Sequence, residues 1–176
     1  MAASPLPQTV SVHDYLRMEF EVDMDYVDGV LEERNLGEFD HGDLQLQIAF
    51  LFRANQEKWQ VRAVVETRVQ VSPTRFRIPD VCILPASWQR TQIIREAPAL
   101  CIEVLSPEDR LSRVLTRCED FHSMGVPEVW IFHPAKRQVL VVRPGAVIET
   151  VKEGVLTLEG TPISLPLADV FSALDA

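Results

Sequence analysis

Two carboxylates sit inside short apolar runs: Asp80 in Arg77-Ile78-Pro79-Asp80-Val81-Cys82-Ile83-Leu84, and Glu103 in Ala99-Leu100-Cys101-Ile102-Glu103-Val104-Leu105. An ionised carboxylate is expensive to bury alone, so each needs a hydrogen-bond donor, an opposite charge or a bound cation. Short β-rich runs bounded by proline and polar residues read as buried strands. If the two strands are neighbours, Asp80 and Glu103 face the same way one strand spacing apart, about 4.8 Å. A pair so placed suits a divalent ion that prefers oxygen, Mg²⁺ or Mn²⁺. Two unrelated strand-end residues account for the same pattern, Asp80 capping a turn after Pro79 and Glu103 paired with an arginine. Both readings are open on residue type alone.

Cys82 lies two residues after Asp80 and Cys101 two before Glu103. In strands this puts each thiol on its carboxylate's face. Without a Cys-x-x-Cys pair, the thiols read as small core hydrophobes rather than soft-metal ligands. An odd count of three cysteines argues against a disulfide framework.

The formal charge of −9 excludes a generally basic nucleic-acid coat protein. The imbalance is local. Residues 19–43 hold ten acids against one base, Arg34, whereas residues 62–77 hold Arg62, Arg68, Arg75 and Arg77 against Glu66. Arg110, Arg113 and Arg117 form another basic set. A mixed solvated surface explains these runs; so does a positive face beside an acidic pocket, which a site handling phosphodiesters needs.

At 176 residues, 47% hydrophobic and 24% charged, the chain reads as one globular domain spanning residues 1–176. No apolar run reaches the ~20 residues that cross a bilayer. Met1 to Gln8 shows no secretion signal, so a cytoplasmic location is expected.

The elements that must position the carboxylates follow from periodicity. Ser11 to Asp14 predicts a capped first helix over Val12–Phe20, and Asp28-Gly29 turns a hairpin between Met24 and Glu32. Leu44, Ile48, Leu51, Phe52 and Asn55 predict the longest helix, between Phe39 and Trp59. Strands are expected over Val61–Val71 and Phe76–Leu84, then a loop over 85–98 with a helical turn at Gln89–Arg95. After the Glu103 strand, Ser106-Pro107 reads as a helix start, with Gly125 as its C-terminal cap. A strand from Glu128 to Phe132 leads into an antiparallel meander, and Leu167–Leu174 closes the chain as an amphipathic helix. The fold class is α/β (α+β), a mixed sheet flanked by helices with a C-terminal antiparallel meander.

Pro79-Asp80, twenty-three residues before Ile102-Glu103-Val104, resembles the PD-(D/E)xK nuclease pattern. The fuller set is Asp25-Tyr26-Val27-Asp28-Gly29, Asp40-His41, Arg77-Ile78-Pro79-Asp80-Val81, Ile102-Glu103-Val104-Leu105-Ser106-Pro107 and Gly125-Val126-Pro127-Glu128-Val129-Trp130. In that order it resembles the Uma2 family, also called DUF820, over residues 10–145. The resemblance implies a restriction-endonuclease-like fold and an Mg²⁺- or Mn²⁺-dependent endonuclease acting on DNA. It implies Asp80, Glu103 and the Val104 carbonyl as metal ligands, Asp25 as a further acidic group at the site, and His41 as a recurrent histidine whose alternative role is capping or packing. It also implies a homodimer. The superfamily lysine position is Leu105 here, and Arg117 stands where similar sequences carry a lysine on the next helix. A guanidinium can offset charge on a pentavalent phosphorane but cannot act as a general base. The nucleophile must then be a water activated by the ion.

Two other functions compete. The missing lysine and the acidic N-terminal third also fit a nuclease fold kept as a binding or interaction module. An acid–base enzyme pairing His41 with Glu66 is a third reading; alternatively, Glu66 pairs with Arg68 at the surface.

Overall fold

A computed structural model describes residues 9–35 and 37–175. The octet Met1–Gln8, on which the absence of a secretion signal is read, lies outside the described residues. Two sheets meet at a seam, and the seam carries the candidate site. The smaller sheet holds β1 (Met24–Val27), β2 (Val30–Glu33), β4 (Val69–Ser72) and β5 (Arg75–Arg77) in the order β2-β1-β5-β4. The larger holds β3 (Val61–Val65), β6 (Val81–Pro85), β7 (Leu100–Val104), β8 (Val129–His133), β9 (Gln138–Arg143) and β10 (Val147–Val151), in the order β10-β9-β8-β7-β6-β3. Only the β7–β8 pair is parallel, joined through helix α4 (Leu111–Ser123); the other neighbours in this sheet run antiparallel.

The mixed sheet flanked by helices is as expected, but two expected strands divide. The 61–71 run breaks at Glu66, whose φ of 45° a strand cannot accommodate, so β3 and β4 join different sheets. The 76–84 run breaks across Ile78–Asp80, where Pro79 has no N–H for a ladder. Asp80 therefore sits at the bend from one sheet into the other.

Helix α2 (Phe39–Ala54) buries Leu44, Ile48 and Phe52 against one face of the large sheet. It ends sooner than expected: Asn55 returns its side-chain amide to the Leu51 carbonyl, and a separate turn, α3 (Gln56–Trp59), follows. On the opposite face α4 buries Val114, Cys118 and Phe121 against Cys82 and Cys101, so the thiols do pack as core hydrophobes. Helix α4 starts at Leu111, not at Ser106. Asp109 accepts from the Ser106 N–H at 2.7 Å, closing a turn ahead of the helix. Gly125 ends it at a φ of 106°, the left-handed cap its sequence position predicts.

The first helix, α1 (Val12–Tyr15), is a single turn rather than reaching Phe20. Tyr15 turns inward to bond the Met24 carbonyl at 3.0 Å and stack on Tyr26. No helix forms at 89–95; Ile94 instead bridges to Val69. The meander is present as β9–β10 plus a hairpin of β11 (Val155–Thr157) and β12 (Ser164–Pro166), and α5 (Leu167–Phe171) closes the chain with a 3-10 turn. Among the described residues no helix is long and apolar enough to cross a membrane.

Charge ties the small sheet to the rest. Arg77 on β5 is 2% exposed and donates to Asp25 on β1, Glu32 on β2 and Asp120 on α4. Asp25, equally buried, also accepts from the Ile78 N–H at 3.0 Å. Replacing Asp25 with alanine leaves the buried Ile78 N–H without its acceptor and Arg77 with Glu32 and Asp120 alone. The expected loss is about 1–3 kcal/mol of unfolding free energy, measured from urea midpoints; an unchanged midpoint would show the clamp to be dispensable.

Candidate functional site

Val81 lies opposite Ile102 in the antiparallel β6–β7 pair. One position further along each strand brings Asp80 across from Glu103. Each residue is 2% exposed. Together with Arg34, His41, Val104 and Arg117 they line a cavity of about 20 Å³.

Neither carboxylate is bare. Asp80 Oδ2 accepts from the Val104 N–H at 2.6 Å, and Oδ1 accepts from Arg34, which bridges Asp80 to Glu66. Arg117 reaches from α4 so that Nη2 lies 2.9 Å and 2.8 Å from the two oxygens of Glu103. The same nitrogen donates to the Ile78 carbonyl at 3.0 Å, while Nε stands 3.5 Å from Asp25. The carboxylates converge, and Glu103 pairs with an arginine as the second sequence reading has it; Asp80 takes Arg34 and the Val104 N–H rather than capping a turn.

His41, near the start of α2, has Nε2 3.8 Å from Asp80 Oδ1 and Nδ1 3.2 Å from Ser106 Oγ. A Cβ at Gly37 would lie 2.5 Å from the imidazole, so only glycine lets the backbone pass there. Asp25 sits behind Arg117 and does not line the cavity; its partners are Arg77, Ile78 and Arg117. Glu66 bonds Arg34 and Gln45 rather than Arg68, and His41 and Glu66 engage different partners.

Two site residues escape the sequence reading. Arg34 had one signal, being the lone base in an acidic run. Gln45 had none: it is a polar position on a helix, yet its amide donates to Glu66 at 2.8 Å and to the Asp80 carbonyl at 3.0 Å.

Burial is the largest influence on Glu103 and pushes its carboxyl up to about 8; Arg117 opposes the rise and Asp80 adds to it. Burial also works against charge on Arg34 and Arg117, yet the surrounding carboxylates hold both above their usual value. Burial likewise lifts the Cys118 thiol to about 12, leaving it protonated at neutral pH.

Among the described residues no three His, Cys, Asp or Glu side chains gather as a ready-made metal cage. The carboxylates of Asp80 and Glu103 at the cavity are nevertheless hard oxygen donors of the kind that Mg²⁺ or Mn²⁺ prefers, beside the His41 imidazole. Each carboxylate oxygen offers about two lone pairs, and the bonds described use only part of that capacity. A cavity of about 20 Å³ admits one water-sized occupant. The residues fit a single ion that shares its carboxylates with two guanidiniums. The Nε–H groups of Arg34 and Arg117 are buried without a hydrogen-bond partner.

A carboxyl whose value rises from 4.5 to about 8 on folding favours the fold fully below 4.5 and loses that contribution as pH climbs toward 8. The melting temperature of wild type minus that of Glu103→Gln, measured in EDTA, is therefore expected to fall between pH 5 and pH 8. A difference that stays flat would remove Glu103 as the titrating group.

The Uma2 family model, described as a putative restriction endonuclease, matches residues 12–171. Among curated proteins none matches the sequence. A crystal structure of a putative nuclease belonging to DUF820 from Anabaena variabilis ATCC 29413 superposes with a TM-score of 0.83 at 20% identity, over 94% of this chain and 99% of that one. The cryoEM structure of a DrdV–DNA complex aligns at a TM-score of 0.40 and 14% identity, over 59% of this chain and 9% of that one, a likeness too slight to build on. The nuclease-like fold is shared with the first of these, and the family match spans nearly the whole chain from α1 to α5: this protein belongs to the Uma2 family.

Proposed function

We propose that the chain, acting as one nuclease-like domain, is a metal-dependent endonuclease that hydrolyses DNA phosphodiester bonds at the Asp80–Glu103 site. The observation that supports this is the convergence of two buried carboxylates from adjacent strands on a cavity that two arginines also reach. Asp80, Glu103 and the Val104 carbonyl hold the ion. Bound there, Mg²⁺ or Mn²⁺ supplies Lewis acidity toward the phosphodiester and the attacking water. Arg117 and Arg34 offset the negative charge that grows on the phosphate oxygens. Neither arginine removes a proton, since their neighbours hold both guanidiniums protonated. Asp25 keeps Arg117 aimed from behind. His41, tied to Ser106, steadies the Asp80 carboxylate.

A second reading has its own observation. Arg34 and Arg117 already pair with both carboxylates, so the site is charge-compensated without an ion. A nuclease fold retained as a binding module has that property.

Plasmid cleavage and thermal shift separate the two. With Mg²⁺ or Mn²⁺, wild type is expected to nick plasmid DNA and to melt at a higher temperature than in EDTA. Asp80→Ala and Glu103→Ala lose both responses, and Arg117→Ala slows cleavage about 10²–10³-fold. No metal-linked stabilisation and no cleavage would leave the binding module standing.

Two further parts of the proposal are a cytoplasmic location and a homodimer. Strand β10 is a sheet edge, exposed along nearly its whole length, with Val147 and Ile148 54% and 43% exposed. Such an edge invites pairing with a second copy. Light scattering of the full chain is expected to give twice the 19.9 kDa chain mass, and Ile148→Lys to lower it; a monomer in wild type removes this part.

A further inference from the structure

An open trough of about 710 Å³ runs along β3, the edge strand of the large sheet, facing the segment from Trp88 to Ile94. Alternation along β3 makes it. Val61 and Ala63 turn into the core beneath α2, so Arg62 and Val64 face the other way. Arg53 comes from the last turn of α2, Arg68 from just beyond β3, and Arg90 from the facing segment. Among the described residues none of these four arginines joins an ion pair, unlike Arg34, Arg75, Arg77 and Arg117. Arg68 instead lies 5.0 Å over the Tyr15 ring, which holds its guanidinium in place. In a chain of net charge −9, four guanidiniums outside any ion pair, against the two acids Asp23 and Glu66 in the same lining, leave the depression net positive and favour a polyanion.

The trough is not isolated from the site. Asp23 and Glu66 line it and also line a neighbouring space of about 280 Å³ shared with Arg34, His41 and Asp80. The half-buried Val64 and Trp88 also line the trough.

We infer that this trough seats one unpaired DNA strand leading to the Asp80–Glu103 site. Arg53, Arg62, Arg68 and Arg90 meet its phosphates, and Trp88 gives a face on which a base stacks. A base reaches Trp88 only when it is free of its complement; a duplex keeps its bases inside and presents phosphates alone. The inference takes its substrate from the nuclease reading but concerns binding outside the reacting centre.

Anisotropy of a fluorescent single-stranded oligonucleotide with the full chain, titrated in EDTA across a NaCl series, tests it. The Arg62→Ala/Arg90→Ala variant is expected to flatten the slope of log K against log[salt] by about 1.4, roughly 0.7 for each phosphate no longer neutralised. Trp88→Ala is expected to weaken binding about tenfold, and the same sequence as a duplex to bind more weakly than the strand. An unchanged slope in the double variant, or tighter binding of the duplex, overturns the inference. Since EDTA prevents turnover, the two proposals fail separately. Arginine-dependent strand binding without cleavage sinks only the nuclease reading; cleavage with binding indifferent to these arginines sinks only the trough.

Discussion

Four carboxylates, those of Asp25, Asp80, Glu103 and Asp120, lie buried along the seam between the two sheets, and the fold around the site depends on how they are compensated. Arg77 takes Asp25 and Asp120, Arg117 takes Glu103 and leans on Asp25, and Arg34 takes Asp80. Buried ion pairs add little net stability against an apolar alternative, whereas a broken one costs several kcal/mol. The network thus specifies the geometry more than it strengthens the fold: β1, β5, β6, β7 and α4 are held in one relative arrangement because any other leaves a buried charge unmatched.

The same compensation gives the site its character. The carboxylates that would hold a cation already share guanidinium donors, so the cavity is small and its charge nearly balanced. An ion entering there competes with arginines instead of filling a naked acidic hole. Burial raises the Glu103 carboxyl most, and Arg117 and Arg34 both act against that rise. The lysine that the superfamily pattern leads one to expect is absent, and its task cannot pass unchanged to a residue that never gives up its proton.

Much of this was legible in residue order. The two short apolar runs, each with one acid inside, form the adjacent strands β6 and β7, and the stripe of Val114, Cys118 and Phe121 on α4 faces the sheet as its period requires; Arg117 was marked by the family resemblance, not by the periodicity. Asp28-Gly29 and Gly125 announced their turns by the only backbone conformations that suit them. What escaped was set by distant contacts. Nothing local marks Glu66 as a break between strands, since its left-handed backbone is sustained by Arg34 and Gln45 arriving from elsewhere. Ser106-Pro107 imitates a helix start closely, down to the Ser106 N–H bonding Asp109 three residues on, yet the chain makes only a turn there and α4 begins at Leu111. Gln45 looked like solvent-facing polarity because its partners lie on strands far along the chain.

The bond from the Val104 amide to Asp80 has a mechanical implication. One strand's side chain grips the next strand's main chain where their ladder ends, so the alignment of β6 on β7 is checked twice, by apolar fit and by this polar latch. A slip of one residue would turn Glu103 away from α4 and strand its charge against the apolar stripe of α2, Leu44, Ile48 and Phe52. Errors of alignment are therefore penalised at the very spot where they would scramble the reactive groups, and chains that pair wrongly are driven to let go and try again.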